Sequence, residues 1–138
     1  MRSLALVAAV LVAGCGKGDC KVQRTTARVC IPDLAAAGAT LAIAVADPCT
    51  SACTFAGLSC SATIDGESGS VELTVDRTDC ATGGACVAVC VRRDVICSVP
   101  PLSPGDRQLV VNGAVAGTLH VAAGGAESCS LPPGPLPP

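Results

Sequence analysis

Eleven cysteines, at positions 15, 20, 30, 49, 53, 60, 80, 86, 90, 97 and 129 of a 138-residue chain, are the side chains with the most chemistry open to them. Thiolates hold metals, and thiols oxidise to disulfides. Cys49/Cys53 and Cys86/Cys90 share a C-x3-C spacing that, on a turn, lets two thiolates face one ion. Thiolate zinc sites belong mostly to reducing compartments, so the compartment decides between the two chemistries. Other reactive groups are few. His120 is the single histidine and alternates with Leu119 and Val121, which turns it outward from a strand. The closest carboxylate pairs are Asp65/Glu67 and Asp76/Asp79. They fall in or beside turn-forming sequence, where Asp ordinarily accepts from backbone amides rather than moving protons. No Ser/His/Asp set, phosphate-cradling loop or metal cluster stands out, so the chain reads as a non-enzyme with no catalytic residue, metal ligand or cofactor assigned.

The first fifteen residues set the compartment. Met1-Arg2-Ser3 gives a short positive start, Leu4 to Val12 an apolar run, and Ala13-Gly14 the small residues a signal peptidase accepts. The run is too short for a membrane-spanning helix, which takes about 20 apolar residues. Val12-Ala13-Gly14-Cys15 resembles the lipobox of bacterial lipoproteins at every position. That resemblance implies a diacylglyceryl group on the Cys15 thiol, removal of residues 1–14 and acylation of the new amine, palmitate included. Two or more acyl chains anchor stably where one binds reversibly. The resemblance also implies outer-membrane sorting, because Gly16 rather than Asp follows the cysteine. An ordinary secretory signal is the alternative, and it leaves Cys15 as an unpaired thiol.

Export makes disulfides the expected fate of Cys20, Cys30, Cys49, Cys53, Cys60, Cys80, Cys86, Cys90, Cys97 and Cys129, an even set consistent with about five bridges. Spacing does not fix their connectivity. Cys49 and Cys53, in a loop after Pro48, could close on each other. In a strand, Cys86 and Cys90 would stand about 13 Å apart, too far to bridge, so each needs another partner. The fold needs these bridges because its core is built from small side chains. Half the residues are hydrophobic, yet Phe55 is the only aromatic, and Ala and Val return less burial energy per ordered residue. Net charge is −2. Two lysines, scattered arginines and a lone aromatic exclude a typical nucleic-acid surface, and the missing aromatic platforms exclude a typical sugar-binding module.

Period-2 alternation organises the rest. Leu58, Cys60, Ala62 and Ile64 alternate with Ser59, Ser61 and Thr63, and Val71, Leu73 and Val75 with Glu72, Thr74 and Asp76. Asp65-Gly66-Glu67-Ser68-Gly69 joins the two runs, so residues 58–64 and 71–77 form a hairpin. Leu41, Ile43 and Val45 mark another strand, although the Asp33 cap and three alanines make a helix over 33–46 the local rival. Further strands are expected at Val22–Ile31, Cys86–Val91, Arg107–Asn112 and Thr118–Ala122, with Arg92-Arg93-Asp94 between strands as a solvated turn, or alternatively an exposed hairpin tip that meets an acidic partner.

Ser103-Pro104-Gly105, a strand, Asn112-Gly113 and a second strand resemble the ending of bacterial immunoglobulin-like domains, though Arg107 and Gln108 stand where that family usually has an aromatic. The expected fold is an all-β, disulfide-rich, immunoglobulin-like sandwich of about seven strands. The expected organisation is a signal peptide at 1–14, a lipidated tether at 15–19, the sandwich at 20–129 and a Pro-rich disordered tail at 130–138.

The whole resembles the small cysteine-rich lipoproteins of Gram-negative bacteria. Its expected role is structural or protein-binding at the cell envelope. The expected partners are the membrane, through the lipid, and an envelope or extracellular protein. The rival role is a disulfide-rich inhibitor of a secreted hydrolase, presenting Cys49–Cys60 or Asp79–Ala85 as a loop.

Overall fold

A computed structural model of the chain describes residues 19–25, 27–81, 89–129 and 131; residues 1–14, Cys15, Cys86 and most of the tail lie outside that set. Every regular element among the described residues is a strand. They are β1 (Cys20–Arg24), β2 (Arg28–Val29), β3 (Ala35–Ala36), β4 (Leu41–Ser51), β5 (Phe55–Ile64), β6 (Val71–Cys80), β7 (Cys90–Val99), β8 (Gly105–Val111), β9 (Ala114–Ala122) and β10 (Ser128–Cys129). The helix weighed for residues 33–46 is absent, replaced by β3 and β4.

Local chemistry explains the two hairpins. β5 and β6 pair antiparallel from Ile64↔Val71 downward. Between them the Asp65 carboxylate accepts from the backbone N–H groups of Glu67 (3.0 Å) and Ser68 (2.6 Å) and from the Ser68 hydroxyl (2.8 Å). These bonds close the turn that the Asp/Gly/Ser run announces. β8 and β9 are joined by Asn112-Gly113 alone, with φ of 49° and 83°. Two left-handed residues match the twist of the flanking strands, which is why Asn-Gly serves there.

Two sheets result. In the first, β6 is central: β5 lies along one edge, while β8 (parallel, at Val71–Leu73) and β1 (antiparallel, at Asp76–Cys80) share the other edge end to end. β9 continues from β8, and β3 from β9. In the second sheet β4 is central, with β7 along one edge and β2 and β10 end to end along the other. The faces pack together. Leu41, Ile43 and Val45 of β4 and Val99 of β7 meet Val71, Leu73 and Val75 of β6, Leu109 of β8 and Leu119 of β9 in one apolar cluster. Alternate residues of each strand line this cluster, as a half-buried pleat requires.

The fold is therefore the disulfide-rich all-β sandwich, with ten strands among the described residues rather than about seven. The extra strands come mainly from the N-terminal segment, expected as one strand over Val22–Ile31. It pairs first with β6, then crosses to β4 as β2, then returns to β9 as β3. Pro32, which has no amide hydrogen to offer a ladder, lies between the last two. Arg92-Arg93-Asp94 is not a hairpin tip either. It sits mid-strand in β7, with Asp94 opposite Ala46 and Arg93 opposite Asp47. Its charges are held within the fold: Arg92 pairs with Asp94 at 2.7 Å, and the Arg93 guanidinium lies 4.9 Å from the centre of the Phe55 ring.

Candidate functional site

The inner row of β4 runs Leu41, Ile43, Val45 and continues in phase to Asp47, which is 2% exposed. The inner row of β6 runs Val71, Leu73, Val75 and continues to Arg77. The apolar core thus turns polar at one end of the sandwich. Arg77 Nη1 donates to Asp47 Oδ2 at 2.9 Å, and Arg77 Nε to Asp79 Oδ2 at 2.7 Å. Asp47 also accepts from the Thr25 hydroxyl (2.8 Å) and the Cys49 N–H (3.1 Å), and Asp79 from the Thr54 hydroxyl (3.3 Å). The hydrogen bond to Asp79, supported by Asp47 and opposed by burial, holds the Arg77 guanidinium above its ordinary pKa.

Two clefts open on this cluster. One, of about 310 Å³, is lined by Ser51, Thr54, Arg77, Asp79 and the Cys49–Cys90 bridge. The other, of about 320 Å³, shares Thr54 and Asp79 and adds Asp19, Lys21, Gln23 and Cys80. Their walls offer hydroxyls, carboxylates and one guanidinium already shared between two carboxylates. Such a surface can hydrogen-bond a polar partner. It has no histidine or thiol among its described residues, and the Asp79 carboxylate is committed to Arg77 and Thr54.

The disulfides frame this end. Cys20–Cys80 joins β1 to β6 at directly opposed residues, and Cys49–Cys90 joins β4 to β7 beside a bulge between Asp47 and Thr50. Cys60–Cys97 crosses between the two sheets, the inter-sheet tie expected of an immunoglobulin-like sandwich. Cys30–Cys129 ties the end of β2 to β10, the two short strands that share one edge of β4. Cys53 is disulfide-bonded too, so all nine described cysteines are oxidised. Closure of Cys49 on Cys53 does not occur, because Cys49 takes Cys90. Cys90 takes Cys49, a partner outside its own C-x3-C pair; the strand expected at Cys86–Val91 is β7 from Cys90 onward, and residues 82–88 lie outside the described residues. Cys86, and Cys15 with the rest of the lipobox, lie outside the described residues.

The remaining sequence candidates are dispersed. His120 points outward and pairs with Asp106 at 2.7 Å on the opposite end of the sandwich. Asp65 and Glu67 are in the β5–β6 turn, while Asp76 and Asp79 are in β6 itself rather than beside a turn. Asp47 and Arg77 were missed by residue-type reasoning, yet their phase with the apolar rows before them was a readable signal. No family model matches this sequence, and no curated protein or solved structure is significantly similar to it.

Proposed function

We propose that this chain is a cell-envelope lipoprotein, anchored in the outer membrane by lipid on Cys15, whose rigid sandwich serves as a structural or protein-binding module. The observation that carries the reading is the oxidation of every described cysteine, the state of an exported domain. It agrees with the signal-like start and lipobox-like Val12-Ala13-Gly14-Cys15. Four residues separate Cys15 from Cys20, five Cα steps with a reach of at most about 18 Å. The clefts around Asp79 then lie near the bilayer, which suits a partner that is itself at the membrane surface.

The hydrolase-inhibitor reading is less well supported. Of its two candidate loops, Asp79–Ala85 lies mostly outside the described residues, and Cys49–Cys60 is strand, turn and strand, with only Ala52-Cys53-Thr54 between β4 and β5, and offers no protruding loop. Expression in a Gram-negative host with a palmitate analogue tests the proposal. Label and outer-membrane recovery that both vanish in Cys15→Ser are the expected result. Unlabelled, freely soluble wild-type protein would overturn it.

A further inference from the structure

The two C-x3-C motifs, Cys49/Cys53 and Cys86/Cys90, have equal spacing, and antiparallel strands give that equality a meaning. Cys49 of the first motif is bonded to Cys90 of the second, with Cα atoms 4.6 Å apart. β4 and β7 run antiparallel, so a step forward along one is matched by an equal step backward along the other. Four residues on from Cys49 is Cys53, and four residues back from Cys90 is Cys86. The offset that joins the first pair therefore brings the second pair together. The ladder already extends that way: Thr50 pairs with Val91 and Ser51 with Cys90, and the Ala52 N–H donates to Val89 C=O at 3.3 Å.

Cys53 is itself disulfide-bonded. The other eight described cysteines pair among themselves, Cys20 with Cys80, Cys30 with Cys129, Cys49 with Cys90 and Cys60 with Cys97. Within one chain, the partner of Cys53 is then Cys86 or Cys15. Distance alone admits both, because the Cys80 N–H donates to Thr54 C=O at 2.7 Å and Cys80 is bonded to Cys20, five Cα steps from Cys15. Register separates them, since only Cys86 repeats the offset of the neighbouring bridge.

We infer that Cys53 is bonded to Cys86, so that the two C-x3-C motifs form a double clasp where β4 ends and β7 begins. Closure joins the two Sγ atoms and releases two protons and two electrons. The electrons pass by thiol–disulfide exchange to a disulfide-bearing oxidant of the exporting compartment. The clasp fixes the residue after Cys53, Thr54, which lines both clefts and donates to Asp79. Cys15 is left as the odd cysteine of eleven, and the inference holds whether or not it carries lipid.

Alkylation of the oxidised full chain under denaturing conditions, then non-reducing digestion with electron-transfer fragmentation, tests it. Wild type should give a species in which Cys49 is linked to Cys90 and Cys53 to Cys86. Cys86→Ser should expose one thiol, at Cys53, and Cys53→Ser one thiol, at Cys86. Cys15→Ser should expose none. The wild-type map keeps the test open if a variant does not fold. Labelling of Cys15 alone in wild type would support the clasp while overturning the lipid reading. A Cys15–Cys53 link, a Cys53 link between two copies, or a labelled Cys86 in wild type would each overturn the inference.

Discussion

Asn112 grips Val75 by both of its backbone groups: the side-chain Oδ1 accepts from Val75 N–H at 2.8 Å, and Nδ2 donates to Val75 C=O at 2.9 Å. Nδ2 also donates to Thr25 C=O at 2.7 Å. Along this edge of β6 the partner changes from β8 to β1, and the Asn112 amide stands in for the strand that is missing between them. Asn112 therefore holds a left-handed turn and a strand junction together.

Two substitutions separate these roles. Asn112→Gly keeps the turn geometry but removes three hydrogen bonds, leaving Val75 N–H and Thr25 C=O without the Asn112 partner while Val75 C=O keeps Thr25 N–H, for an expected loss of about 2–3 kcal/mol. Asn112→Ala adds the cost of a left-handed backbone, about 1 kcal/mol more. Urea unfolding of the two variants checks the order; an Ala variant as stable as wild type would refute the junction role.

Arg77 needs a fork. Its Nε and Nη1 serve different carboxylates, and a lysine ammonium cannot reproduce that geometry. Arg77→Lys is expected to destabilise by about 2–3 kcal/mol, because one ammonium cannot satisfy Asp47 and Asp79 together and leaves one of them without its charged hydrogen bond. Chemical denaturation measures the change, and a cost below about 0.5 kcal/mol would reduce the network to surface decoration.

How much of this was readable in advance depends on how local the signal is. The 65–69 and Asn112-Gly113 turns, the alternation in β5 and β6 and the outward His120 were all legible, because each rests on neighbours in sequence. The bridges were not, since Cys30 and Cys129 are 99 residues apart and spacing carries no trace of their meeting. Arg92-Arg93-Asp94 looked like a turn because it is polar. Only the tertiary fold supplies Phe55 beneath Arg93 and β4 beside all three residues.

The bridges differ in expected worth. In a chain-entropy estimate, Cys30–Cys129, with a separation of 99 residues, supplies about 4.7 kcal/mol and Cys60–Cys97, with a separation of 37, about 3.8 kcal/mol. Replacing either pair by alanine should lower Tm by roughly 10 °C or more, the 30–129 variant further. Calorimetry of both double variants reads the order directly.

Acid should act on the β5–β6 turn. The backbone N–H of Ser68, its hydroxyl and the Glu67 N–H together hold the Asp65 carboxyl below its ordinary 3.8. A lowered pKa in the folded state stabilises the charged form, so the contribution is present above 3.8 and lost as pH falls through the folded value. The stability difference between wild type and Asp65→Asn should be present at about pH 6 and shrink as pH falls below 3.8. A difference that persists in acid would mean the turn does not depend on the charge.

The most direct test of an exported, lipid-anchored, disulfide-stapled sandwich is the intact mass of the protein purified from a bacterial envelope, alkylated with and without reduction. The account predicts a chain beginning at acylated Cys15, no alkylated thiol before reduction, and ten after it, from the eleven cysteines less the anchor. An unmodified Cys15, or several thiols labelled before reduction, would contradict it.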